Sequence, residues 1–317
     1  MRTSTRGEVD PFIVMDVMEA ARRAEASGRH IIHMEVGQPG TPAPAAARRA
    51  LARAMETDAL GYTVALGLPA LRAGIARLSG EWYGVDLDPG RVVVTAGSSG
   101  AFLLTFASLF DAGDRVGVTE PGYPSYRQIL KAMSLTPVGV ACAEQNRYQP
   151  VPEDIPAGLQ GMIVASPGNP SGTMLGRDAL SGLIGACAAK GTAFISDEIY
   201  HGIQYEARAV SALEISDDLY VINSFSKYFS MTGWRVGWMV VPEAHVRKVE
   251  RLAQNMFICP AHASQVAALA ALDARGELDA NLAVYAENRR LMLEGLRAAG
   301  FTRLAPPDGA FYVYADV

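Results

Sequence analysis

Residues 219 to 241 read LYVINSFSKYFSMTGWRVGWMVV. Two apolar, β-branched and aromatic runs, 219–223 and 236–241, bracket about a dozen residues with no clear helical periodicity. A parallel return to the same sheet usually needs a helix in the connection. The short gap therefore predicts that the 236–241 strand runs antiparallel to the strand before it. The loop between them carries Ser224, Ser226 and Lys227, with Arg235 eight residues beyond the lysine in Gly233-Trp234-Arg235-Val236-Gly237. It follows a buried strand, where open α/β sheets place their ligands. An amine can condense with a carbonyl, while hydroxyls and a guanidinium hold a dianionic phosphate. The pattern suits a phosphate-bearing aldehyde.

Outward from this stretch the chain alternates. Strand-like runs fall at 91–95, 115–119, 136–140, 161–165 and 192–196, with helical periodicity at 99–110, 123–133 and 177–190. That order implies βαβ units and a mainly parallel sheet. Before it, Phe12, Met15, Val17, Met18 and Ala21 form an apolar stripe on a helix that begins after Pro11 and stops at Gly28; a short strand is expected at 31–36 and a helix at 44–56. From Ala261 the chain turns helical, with a long run at 279–299 and two short strands near 301–304 and 310–315. The expected division is a large α/β lobe, 46–276, and a smaller α+β lobe made of 1–45 and 277–317.

The composition narrows the function. The chain has 317 residues, half of them apolar, and 28 basic against 33 acidic side chains give a net charge of −5. Such a balance offers no electrostatic case for nucleic acid or for a polybasic membrane contact. The uncharged stretch from Val92 to Phe110 is broken by Ala96-Gly97-Ser98-Ser99-Gly100, so it reads as strand, turn and helix rather than as a membrane span. Cys142, Cys187 and Cys259 form neither a disulfide framework nor a metal-ligand spacing. His30, His33, His201, His245 and His262 form no metal motif either; His201 follows Tyr200 and is given no role. The start lacks a secretory apolar segment, and a cytoplasmic location is expected.

Other stations carry chemistry. Asp197, in Phe194-Ile195-Ser196-Asp197-Glu198-Ile199-Tyr200, ends an apolar strand and can face a ligand crevice. Ser166-Pro167-Gly168-Asn169-Pro170-Ser171-Gly172 is turn chemistry after another strand. Gly97-Ser98-Ser99-Gly100 opens a helix, where free N–H groups and the helix dipole favour an anion. Tyr123 lies in Glu120-Pro121-Gly122-Tyr123-Pro124, and Tyr62 precedes Gly67 and Leu71-Arg72 in a Gly-flanked loop.

Taken together, these motifs resemble the class I/II aminotransferases, over almost the whole chain from about residue 10 to Val317. The resemblance implies the aspartate-aminotransferase fold (fold type I) and the cofactor pyridoxal 5′-phosphate, joined to Lys227 through its aldehyde. It assigns Asp197 to the pyridinium nitrogen, which keeps the ring protonated as an electron sink. It assigns Tyr200 and Asn169 to the ring's 3-oxygen, Tyr123 to stacking on the ring, and Ser98, Ser99, Ser224, Ser226 and Arg235 to the phosphate. Tyr62 would reach the phosphate of the other subunit of a homodimer, and Gly37 with Asn169 would face the substrate. The implied reaction is a two-stage amino transfer between an amino acid and a 2-oxo acid, with the freed Lys227 as acid and base. The Glu120-Pro121 and Asn169-Pro170 bonds are expected to be cis.

In the family several dozen residues follow the Pro307-Asp308-Gly309-Ala310-Phe311-Tyr312 segment and carry the arginine for the substrate carboxylate. No residue here takes that role, and the sequence is expected to be incomplete at its C-terminus. Two alternatives use the same cofactor residues: carbon–sulfur β-elimination, and a regulatory protein that binds the cofactor as an effector. A DNA-binding extension would mark the second.

Overall fold

Seven of the β-branched runs pair into one sheet in the computed structural model, which describes residues 1–317. The strands are β1 (Val92–Thr95), β2 (Arg115–Glu120), β3 (Thr136–Ala141), β4 (Gly161–Ala165), β5 (Ala193–Asp197), β6 (Tyr220–Ser224) and β7 (Gly237–Val240). Their spatial order is β1-β7-β6-β5-β4-β2-β3. Only β7 runs against the direction shared by the other six strands, with Thr95 and Ser224 both opposite Gly237. The short gap before it therefore has the predicted consequence.

Nine α-helices complete the fold: α1 (Ile13–Ala26), α2 (Ala45–Thr57), α3 (Pro69–Tyr83), α4 (Gly97–Leu109), α5 (Pro124–Ala132), α6 (Arg177–Ala189), α7 (Glu243–Met256), α8 (His262–Ala271) and α9 (Arg275–Ala298). Alternate strand residues face opposite sides of the sheet. Val92, Val94, Met162, Val164, Val221 and Val240 pack against Leu71 and Ile75 of α3, Leu180 and Leu183 of α6, and Ala267 and Ala271 of α8. Val93, Ile163, Ile195, Ile222 and Met239 pack against Phe102 and Phe106 of α4, Leu130 of α5 and Val249 of α7. With both faces covered, function is pushed to the carboxyl ends of the parallel strands. No helix is long and apolar enough to cross a membrane.

Three expectations need correction. Residues 31–36 form no strand; the segment finds no sheet edge, and Ile32 and Met34 are each 76 % exposed. The strands expected at 301–304 and 310–315 reduce to one bridge, Leu304 to Ala315. Pro306 and Pro307 lie between them and cannot donate to a ladder, and Gly309 bridges to Gln204 instead. The stripe on α1 covers no core, since the helix has no buried residue and Met15 and Val17 are exposed. The expected cis bonds at Glu120-Pro121 and Asn169-Pro170 are both present, and Ser166-Pro167 is also cis.

Candidate active site

Loops from the carboxyl ends of β1, β2, β4, β5 and β6 meet around a cavity of about 440 Å³. Lys227 enters it from the loop after β6. Its Nζ donates to the Gly37 carbonyl at 2.5 Å and lies 5.6 Å from the centre of the Tyr200 ring and 5.7 Å from that of Phe311. Burial pushes the Lys227 ammonium down to about 8, with Arg235 adding to the effect and Asp197 opposing it. A lysine so placed reaches its neutral, nucleophilic form near physiological pH.

Asp197 ends β5 almost fully buried. One carboxylate oxygen accepts from the Tyr126 hydroxyl and the other from the Ile199 amide at 3.1 Å. Burial raises this carboxyl from 3.8 to about 6, against the pull of the Tyr126 and Ile199 hydrogen bonds. A buried carboxylate with only neutral donors is short of a cation, and a protonated ring nitrogen would supply one.

Across the cavity, α4 begins directly after β1. No side chain caps it, so the first-turn N–H groups are left for an anion. Ser98 and Ser99 line the cavity there, and Arg235 faces them. The fit is close. A Cβ on Gly237 would lie 3.0 Å from the Gly97 carbonyl carbon and 3.1 Å from the Ser98 nitrogen, and one on Gly97 would lie 2.5 Å from the Arg235 guanidinium. The guanidinium is held by donation to the Thr232 carbonyl at 2.8 Å. Backbone donors, hydroxyls and a fixed guanidinium make a cradle for a phosphate dianion.

The opposite end is a cluster of phenols and an amide. Tyr200 and Tyr312 hydroxyls are 2.6 Å apart, and Asn169 Nδ2 donates to them at 3.5 and 3.4 Å. Tyr123 packs edge-on against Phe12 and Tyr126, with ring centres 5.9 and 5.2 Å away. The residues present thus fit a phosphorylated pyridine aldehyde: a cradle for its phosphate, an amine for its carbonyl, a buried acid for its nitrogen and hydroxyl or amide groups for its oxygen.

Of the residues singled out in the sequence, Ser98, Ser99, Tyr123, Asn169, Asp197, Tyr200, Ser226, Lys227, Arg235 and Gly37 line one cavity. Ser224 does not. It lies behind Ser226, with the hydroxyls 2.9 Å apart, and also donates to the Val236 carbonyl. It is the last residue of β6, buried opposite Gly237 on the β6–β7 ladder. Tyr62 is away from the cavity of its own chain and 83 % exposed. Sequence reasoning missed Tyr126, Thr232 and Tyr312. Tyr126 carried a usable signal, since it follows Tyr123 by three residues at the start of a helix and so shares its face.

Comparison with known proteins gives the same reading. The model of the family described as aminotransferase class I and II matches residues 29–317. Valine–pyruvate aminotransferase of Mycobacterium tuberculosis is 46 % identical over 323 residues, covering 100 % of this chain and 83 % of its own. Among solved structures, an aminotransferase from the same organism superposes with a TM-score of 0.97, covering 100 % of this chain and 84 % of that one. A Silicibacter pomeroyi protein, described provisionally as an aminotransferase, is 69 % identical with a TM-score of 0.93, covering 100 % and 83 %. Thermus thermophilus aspartate aminotransferase with maleate is 28 % identical with a TM-score of 0.94, covering 100 % and 85 %.

Proposed function

Since the chain belongs to the class I and II aminotransferases and is a pyridoxal-phosphate-dependent aminotransferase, we propose that it moves the amino group of a neutral aliphatic amino acid to a small 2-oxo acid, with Lys227 as the proton carrier. The observation that carries the role of Lys227 is its buried amine, set between Gly37 and the Tyr200 ring with its pKa lowered to about 8.

The bound cofactor supplies an electron sink for the pair released when the substrate Cα–H bond breaks. The protein's residues do the rest. Ser98, Ser99, Ser226 and Arg235 would bind its phosphate and so place the ring. Tyr123 would pack against the ring, and Asp197, held by Tyr126, would favour a proton on the ring nitrogen. Asn169 and Tyr200 would donate to the ring oxygen. Lys227 Nζ would take the proton from the substrate Cα and deliver it to the carbon on the far side of the shared nitrogen, two bonds away, so a single base within reach of both carbons would serve both half-reactions. Gly37 and Asn169 would bound the substrate's place, and apolar Phe12, Val14 and Val36 line the same cavity. That lining, with the printed activity of the Mycobacterium tuberculosis relative, supports a branched or small apolar donor and pyruvate as acceptor.

The same reading makes the active unit a homodimer in which Tyr62 completes the partner's phosphate site. It is supported by an exposed apolar patch. Tyr62, Val64 and Ile258 lie at one surface, where the Thr63 amide meets Cys259 Sγ and the Gly61 carbonyl meets His262. A two-fold interface pairs such a patch with itself. We also assign residues 46–276 to the cofactor-binding lobe and residues 1–45 with 277–317 to the smaller one. A cytoplasmic location accords with three free thiols, Cys142, Cys187 and Cys259. The test is a panel of amino donors against pyruvate and 2-oxoglutarate. Valine or alanine with a 2-oxo acid should lead; turnover confined to aspartate or glutamate would overturn the substrate assignment.

A further inference from the structure

His201 follows Tyr200 and was given no role by the sequence, yet it is among the most enclosed polar side chains, 2 % exposed. Its Nε2 lies 2.9 Å from the Ser166 carbonyl. A carbonyl only accepts, so Nε2 carries the hydrogen. Its Nδ1 lies 2.6 Å from the Tyr83 hydroxyl at the end of α3. Burial, and then nearby Glu198, hold the Tyr83 phenol well above its ordinary range. It therefore keeps its hydrogen and donates to Nδ1, which sets the tautomer. Glu198 comes within 3.4 Å of the same nitrogen but is already met by Ser196, Ser211 and the Ala212 amide. Glu214 and Arg208 stand behind Tyr83.

Ser166 is the first residue of the loop that carries Asn169. The loop closes on itself through Gly168 N to Thr173 O and Gly172 N to Gly168 O, both 2.9 Å. Its inner side chain, Ser166 Oγ, accepts from the Leu175 amide at 2.9 Å. These bonds fix the loop's shape, and the Ser166 amide, donating to the Asp197 carbonyl at 3.3 Å, ties its base to the end of β5. The His201 bond adds a second tie on the other side of the same residue, from the β5 loop to the Ser166 carbonyl, where the peptide plane leading toward Asn169 is set. We propose that His201 is a positioning residue, which through the Ser166 carbonyl sets the direction of the Asn169 amide relative to Tyr200. The proposal rests on the assignment of Asn169 and Tyr200 to the ring oxygen given above.

Glutamine and asparagine separate this role from simple packing. A glutamine amide reaches about as far as Nε2 and can still donate to Ser166; an asparagine amide reaches only the Nδ1 position. In the full-length holoenzyme, His201→Asn should move the pH midpoint of the cofactor's visible absorbance by about 0.5–1 pH unit, a three- to tenfold change in its ionisation constant. It should lower kcat on the order of tenfold, the scale of a small misplacement, with KM changed less. Hydrogen exchange over residues 166–175 should quicken, in the apo protein as well. His201→Gln should restore all three. If His201→Asn fails to fold, Tyr83→Phe replaces it under the same midpoint and exchange criteria. An unmoved midpoint with unmoved exchange overturns the proposal, as does equal damage from Gln and Asn. In an Asn169→Ala background, His201→Asn should add less than about twofold, since both act through one amide. Independent, multiplicative losses would refute positioning by His201 while leaving Asn169 in place. A wild-type midpoint in Asn169→Ala alone would instead sink the Asn169 assignment.

Discussion

Asp197→Asn should stabilise the apo protein while nearly abolishing turnover, and the stabilisation should depend on pH. In the folded apo protein the Asp197 carboxyl keeps its proton up to about 6, against an ordinary 3.8, because burial outweighs the Tyr126 and Ile199 hydrogen bonds. Below 3.8 both folded and unfolded chains hold the proton, and above about 6 both have lost it. Between those values the folded state binds the extra proton, so stability falls as pH rises through the window. The gap corresponds to roughly 3 kcal/mol, and a shift on the order of 5 °C in Tm, for a group this deeply buried. Asparagine has nearly the same shape, stays neutral and can still accept from Tyr126. The difference in Tm between apo Asp197→Asn and apo wild type should therefore grow from pH 4 to about pH 6.5 and then level off. Loading wild type with pyridoxal phosphate should shrink it, because a protonated ring nitrogen gives the carboxylate its missing cation. A difference that stays flat across pH 4–7 would show that Asp197 is not held against its charge, and the account of its environment would be wrong.

Lys227→Ala should lose the cofactor adduct trapped by borohydride; an adduct surviving on another lysine would refute the assignment. Arg235→Ala should mainly loosen the cofactor, by ten- to a hundredfold for a charged hydrogen bond of about 1.5–3 kcal/mol, with kcat at saturation changed little; an equilibrium titration of the apo protein reads it. Mixed dimers of Tyr62→Ala and Lys227→Ala should regain up to half of the wild-type activity per dimer, since one site then carries both lesions and the other neither. Mixing that restores nothing, while Tyr62→Ala alone is strongly impaired, would place Tyr62 in its own subunit's site.

What the sequence made legible, and what it hid, divide along physical lines. Lys227, Arg235 and the reversed β7 were legible because local spacing determines them: a dozen residues cannot make a crossover. Asp197 and Asn169 were legible because one ends a strand and the other sits in a turn at the carboxyl edge of the sheet, where side chains can reach the crevice. The strand expected at 31–36 failed because a strand needs a neighbour, and pairing is not written in a single run of residues. Ser224 and Ser226 look alike in sequence, yet Ser226 lines the cavity and Ser224 lies behind it, because β6 ends at Ser224 and the chain turns before Ser226; alternation alone would have put residues two apart on one face. Tyr312 reaches the cavity from more than a hundred residues beyond Tyr200, and no local pattern announces a contact of that range.

The reversed strand also bears on how this loop can change over evolutionary time. Because β7 runs against β6, the chain leaves one strand and enters the next at the same end of the sheet, and both anchors, Ser224 and Gly237, sit side by side across a ladder. The amine of Lys227 and the guanidinium of Arg235 therefore hang from a closed span of fixed length. Loops elsewhere on the surface absorb inserted or deleted residues at small cost. Here a one-residue insertion either slides β7 by a position, which turns its buried side chains to the wrong face, or moves the two charged groups relative to each other. Descendants of this sequence can exchange side chains along residues 225–236 far more freely than they can alter the number of residues, so length variation should be rare there and common in loops that carry no such pair.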